Sequence, residues 1–164
     1  MVPNVIVKAA TNGLVSGTLT LDPELSGIAL GVGTWSVEMV LLASAAAAAT
    51  NPQLQVGWQF TGTFANSPVR ITTGPGATNT ATPGLSTPAN FASNGTFGSG
   101  SFYGLRTGAA AAYARITEEC HELQVATAGT FGILLGQATG SAAATNAVAT
   151  NVRVGSMIRW RQIG

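Results

Sequence analysis

Apolar side chains recur at every second position along much of this chain. Over residues 34–42, Trp35, Val37, Met39 and Leu41 fall on one face, with Ser36 and Glu38 opposite. Leu54, Val56, Trp58 and Phe60 repeat the pattern against Gln55, Gly57, Gln59 and Thr61. A period of two belongs to a strand with one face in a core. Residues 15–21, 69–73, 113–116, 122–127, 130–138 and 152–163 add further candidates, giving about eight short strands separated by Gly, Pro and Asn turns. Parallel pairing would need crossover helices, and no run of helical period supplies them. The predicted fold is therefore all-β, an antiparallel sandwich or barrel. The predicted core comprises Trp35, Val37, Met39, Val56, Trp58 and Phe60, with Leu123, Val125, Ile158 and Trp160 from the second half.

The alanine run 45–49 does not change this reading. It is too short for a stable helix, and Asn51 before Pro52 favours extended backbone. Ala109–Ala112 is read in the same way, as a loop or strand edge. A chain of 164 residues suits one core. Residues 1–12 read as an N-terminal arm, because Pro3 limits early strand pairing, and residues 13–164 as one domain. Removing residues 1–11 is expected to leave the domain folded. Between Arg70 and Arg106 no charge occurs, and the Gly, Thr, Ser, Asn and Pro-rich stretch near 74–100 reads as a long loop. Leu85, Phe91, Phe97 and Phe102 are its anchors, and an ordered excursion over a neighbouring subunit is expected.

Charge is scarce. Seven basic and six acidic residues make up 8% of the chain, against about 25% in an ordinary soluble domain. Mean hydropathy is +0.32. The longest apolar run, residues 39–49, falls short of the roughly 20 residues a membrane span needs, so membrane insertion is not expected. A weakly charged exterior with a net charge of +1 favours association instead. The first residues lack the basic and apolar regions of a signal peptide, so folding in a cytoplasm is expected.

Residues able to do chemistry are few. Cys120 adjoins His121, the only histidine, but neighbours on a strand point to opposite faces, so they cannot act as nucleophile and base. Glu118, Glu119 and Glu122 lack the interleaved Asp, Asn and Gly of a calcium loop. They read better as partners for Arg153, Arg159 and Arg161, which share a face of the last predicted strand. Three arginines at a pI near 8.0 are too few for direct nucleic-acid binding. Trp35, Trp58 and Trp160 are in phase with aliphatic neighbours, which suits a core better than a sugar platform; a glycan site would have to use Tyr103, Tyr113 or loop phenylalanines. No catalytic motif is present, and no enzyme activity, metal or cofactor is expected.

Two segments carry a resemblance. Leu21-Asp-Pro-Glu-Leu25, then Leu30 and Gly33-Thr-Trp-Ser-Val-Glu38, resemble the opening of a jelly-roll domain found in virion proteins of tailed bacteriophages. Gly129-Thr-Phe-Gly-Ile-Leu-Leu-Gly-Gln137, a polar turn, and Val152-Arg-Val-Gly-Ser-Met-Ile-Arg-Trp-Arg-Gln-Ile163 are similar to its closing hairpin. The resemblance implies a tumour-necrosis-factor-like jelly roll that associates as trimers and has a structural role on a phage particle. The expectation is a non-enzymatic, homotrimeric capsid decoration protein on the outer surface of the head, or on the tail, made in the host cytoplasm. Its partners would be its own copies and the major capsid protein or other virion proteins. Val2, Pro3, Val5, Phe91, Phe97 and Phe102, with Arg153, Arg159 and Arg161, are the expected contacts. The alternatives are a receptor-binding fibre tip, the one reading that admits a host glycan, a minor tail or baseplate subunit, and a secreted hydrolase or lectin.

Overall fold

The computed structural model describes residues 2–45, 52–66, 69–74, 89–92, 101–105, 113–139, 142–143 and 150–164. Along these run fifteen strands and no helix. In chain order they are β1 (Asn4–Val7), β2 (Asn12–Leu14), β3 (Thr20–Leu21), β4 (Ile28–Leu30), β5 (Gly33–Ala45), β6 (Pro52–Phe60), β7 (Thr63–Phe64) and β8 (Val69–Thr73). There follow β9 (Ala89–Ala92), β10 (Ser101–Gly104), β11 (Ala114–Thr127), β12 (Gly129–Thr139), β13 (Ala142–Ala143), β14 (Thr150–Val152) and β15 (Met157–Gln162).

All pairings are antiparallel and form two sheets. The larger is ordered β1-β15-β5-β11-β8-β9, with β14 on β5 and β2, and β7 on β11. The smaller is ordered β10-β6-β12-β13, with β3 and β4 along the other edge of β12. Their facing sides close over a single apolar cluster. Val37, Met39, Leu41, Ile116, Leu123 and Ile158 come from the larger sheet, and Leu54, Val56, Trp58, Phe131, Ile133 and Leu135 from the smaller. Trp58 meets Phe131 edge-on with ring centroids 5.0 Å apart, a contact that adds about 0.5–1.5 kcal/mol to the burial of both rings. Among the predicted core residues, Phe60 and Trp160 lie half-buried at the rim, and Phe60 stacks on Phe64. The other eight are buried.

Alternation places the strands; turn chemistry divides two of them. The predicted strand 15–21 is interrupted where Ser16 Oγ accepts from Thr18 N, a local side-chain turn that competes with the ladder. Thr20 and Leu21 of that segment pair with β12 in the ladder, and Ser16 O accepts a separate bond from Gln137 N (2.8 Å). The predicted strand 152–163 is also two strands. Between the pairs Val152↔Ala43 and Met157↔Val40, four residues oppose two, and the surplus loops out around Gly155, whose φ of 88° lies in the left-handed region. Segments 113–116, less Tyr113, and 122–127, by contrast, belong to one long strand, β11, irregular between Cys120 and Leu123.

The N-terminal arm is corrected as well. Asn4–Val7 pairs in register with β15, from Asn4↔Trp160 to Val7↔Met157, and Ile6 packs against the core. Pro3 precedes the first paired residue, so its missing N–H costs the ladder nothing. Within the predicted long loop, Ala89–Ala92 pairs with β8 of the same chain; residues 75–88 and 93–100, with Leu85 and Phe97, lie outside the described residues. So do residues 46–50 and 109–112 of the alanine runs. Removing residues 1–8 takes away an edge strand and the buried Lys8. Loss of that cation alone should destabilise by about 3–5 kcal/mol, read as a lower urea midpoint; an unchanged midpoint would restore the dispensable arm.

Candidate functional site

Lys8 stands where two looped-out turns meet. One is the turn before β15. There Arg153 N donates to Leu42 O (2.8 Å), and Ser156 Oγ accepts from Leu42 N (3.0 Å), keeping β5 paired across the irregularity. The other is the Asp22–Leu25 turn, which bulges from the edge of the smaller sheet between β3 and β4. Asp22 N donates to Ile133 O (2.9 Å), and Ile133 N donates to Leu25 O (3.0 Å). Asp22 Oδ1 accepts from the backbone N–H groups of Glu24 and Leu25, each at 2.9 Å, an Asx-type turn of the kind Asp-Pro favours.

Lys8 ties one turn to the other. Its backbone N donates to Ser156 O (2.7 Å), and its carbonyl accepts from Gly155 N (3.0 Å). Its Nζ donates to Asp22 Oδ1 (3.1 Å), Asp22 Oδ2 (2.8 Å) and Glu24 Oε2 (2.8 Å). Side-chain exposure is 0% for Lys8, 1% for Asp22 and 29% for Glu24. Glu24 Oε1 also accepts from Ala9 N (3.0 Å). The hydrogen bond from Lys8 holds the Glu24 carboxyl below the usual range.

A second buried charge pair sits toward the opposite edges. Arg70 of β8 and Glu118 of β11 lie 3.3 Å apart, both buried. The Tyr103 hydroxyl, from β10 of the smaller sheet, donates to Glu118 Oε1, and the Arg70 guanidinium lies 5.5 Å from the Trp58 ring centre. Burial pushes the Glu118 carboxyl up; Arg70 and the hydrogen bonds pull it back only in part.

The outer face of the larger sheet carries a third group, in a groove of about 190 Å³ lined by Pro3, Ser36, Glu38, His121, Arg159, Trp160 and Arg161. Arg159 Nη2 donates to Glu38 Oε1 (2.6 Å). Ser36 Oγ lies 3.3 Å from His121 Nδ1, and His121 Nε2 lies 2.9 Å from Glu119 Oε2. Hydroxyl, imidazole and carboxylate are thus in sequence. The His121 side chain is 58% exposed, however, and a row so open to water lacks the enclosure that activates a nucleophile. The groove suits a polar ligand held by hydrogen bonds.

Strand alternation sorts the predicted site residues. It divides the acidic cluster: Glu118 enters the core, Glu119 lies on the outer face, and Glu122 is exposed beyond the irregularity. The arginines consequently find other partners, Glu38 for Arg159 and the Ser44 hydroxyl for Arg153 (3.0 Å), while Arg161 lines the groove. Cys120 is buried and its thiol pushed up by burial, whereas His121 is exposed. Tyr103 is buried and Tyr113 exposed. Val2 and Val5 are exposed near Pro3. Phe91 is opposite Arg70 in the β8–β9 register, and Phe102 opposite Gln55 in β10–β6.

Sequence reasoning missed the Lys8 cluster. Its signal was a count: Lys8 is the only lysine and Asp22 the only aspartate in the chain. Comparisons with protein-family models, curated proteins and solved structures find no match.

The two perturbed carboxyls respond to pH in opposite senses. Glu24, lowered on folding, contributes stability that is full above the ordinary carboxylate range and is lost as pH falls through its lowered value. Glu118, raised on folding, keeps its proton in the native state where the unfolded chain has lost it, so stability falls as pH rises from the ordinary range through the raised value. Urea midpoints measured from pH 4 to 7 should therefore shift progressively in favour of Glu118→Gln relative to wild type. Parallel curves would show that Glu118 ionises as freely in the fold as in the unfolded chain.

Proposed function

We propose that this chain is a non-enzymatic virion structural protein of a tailed bacteriophage, a homotrimeric jelly-roll subunit that decorates the assembled capsid. The carrying observation is where the charges sit. Burying Lys8, Asp22, Arg70 and Glu118 leaves at most nine of the thirteen charged side chains for the exterior. That exterior also bears aliphatic side chains: Val2 is 88% exposed, Val5 51% and Val7 54%, and Leu21, Val32, Val154 and Ile163 are exposed too. Val5 and Val7 lie on β1, at one end of the larger sheet's strand order. An edge of this kind is satisfied by a neighbour. Copies joined there would dock on the shell through apolar and main-chain contacts, with Arg153 and Arg161 as polar supplements. Binding the assembled form in preference to free capsid protein stabilises the lattice by mass action.

The groove at Ser36, Glu38, His121, Arg159 and Trp160 favours a second reading, a receptor-binding tip of similar fold. Hydroxyl, carboxylate and guanidinium groups suit the hydroxyls of a sugar.

Light scattering at micromolar concentration should give the mass of three chains. Replacing Val5 and Val7 together by Glu should shift the population toward single chains while the circular dichroism of the sandwich persists, since both side chains point outward. A wild-type chain that is monomeric under these conditions overturns the decoration reading.

A further inference from the structure

We propose that Lys8 and Asp22 condense to a side-chain amide, with Glu24 carrying the protons, so that the mature protein is internally cross-linked. The geometry is that of an acyl transfer. Lys8 Nζ touches both oxygens of the Asp22 carboxylate, at 3.1 and 2.8 Å, which brings Cγ within reach. Oδ1 already accepts two backbone N–H groups, from Glu24 and Leu25 at 2.9 Å. These are placed to hold the charge that develops on that oxygen as the carbon becomes tetrahedral. Glu24 Oε2, 2.8 Å from Nζ, is within proton-transfer distance, and its other oxygen is fixed by Ala9 N.

The step balances. Glu24 takes one proton from the Lys8 ammonium and passes it to Asp22 Oδ2, and the free amine attacks Cγ of the now neutral acid. The C–N bond forms, and the negative charge gathers on Oδ1. Two protons that began on Nζ, ferried by Glu24, leave with Oδ2 as water as the C–Oδ2 bond breaks. Ammonium and carboxylate become one amide and one water, without oxidant or cofactor.

Three features favour this outcome over a lasting ion pair. Both reacting groups are almost wholly withdrawn from solvent, and condensation removes two charges that are costly to bury. Holding them in contact supplies the effective concentration that free amine and acid lack. Residue 23 is proline, so the next backbone nitrogen has no hydrogen and cannot close a succinimide on Asp22, which leaves Lys8 as the nucleophile in place.

A single lysine makes the test direct. The full-length chain, purified, incubated at neutral pH and then denatured, should weigh one water less than Lys8→Arg treated identically, after allowance for the substitution. A protease that cuts after lysine should release residues 1–8 from an unlinked chain and leave the condensed chain whole. Peptide mapping should find residues 8 and 22 joined. Glu24→Gln should condense more slowly than wild type; an equal rate overturns the role of Glu24. Full sequence mass with clean release of residues 1–8, or a lost water mapped away from these two residues, overturns the cross-link.

Discussion

Lys8 is the point at which the two sheets are held to each other along one side. Its main chain completes the turn ahead of β15, and its ammonium group completes the turn that interrupts β3 and β4. Each turn is a local failure of strand pairing, and each leaves polar groups that a core cannot tolerate alone. One residue satisfies both. The end of β1, the turn at residues 22–25 and the turn between β14 and β15 all meet at that junction.

The Arg70, Glu118, Tyr103 and Trp58 group has the corresponding role toward the other edges, with two residues from each sheet. An apolar interior between flat sheets fixes separation better than relative position, because aliphatic contacts can slide. A charge pair with defined donors is less forgiving of displacement. With one such group near either side, the sandwich has a fixed alignment, while few ionised side chains remain for its exterior.

Much of the fold could be read from alternation alone. The strands built on Trp35 to Leu41, Leu54 to Phe60 and residues 69–73 are where a period of two puts them. The same rule could have divided Glu118 from Glu119. The N-terminal strand escaped because four residues after a proline, Asn-Val-Ile-Val, carry too little pattern to outweigh the reading as an arm. The split of the last strand escaped because Val152, Val154 and Ile158 keep an even phase through Gly155, and phase does not register residues that loop out. The buried clusters depend on turns meeting across sheets, for which spacing in sequence has no counterpart; only the single lysine and single aspartate hinted that those residues were destined for each other. The outer groove escaped in part: spacing aligns Arg153, Arg159 and Arg161 on one face, but Ser36 and Glu38 reach the last two only through the β15–β5 register and His121 through the β5–β11 register.

Because β1 runs against β15, and Thr34 N donates to Gly164 O, residues 2–4 and 160–164 emerge at one corner of the larger sheet. Anything joined to either end would stand beside the Ser36 and Arg159 groove and crowd it. The far margin, at β9 and β10, would stay clear of such additions, so the two flanks of the molecule differ in how much attached bulk they can accept.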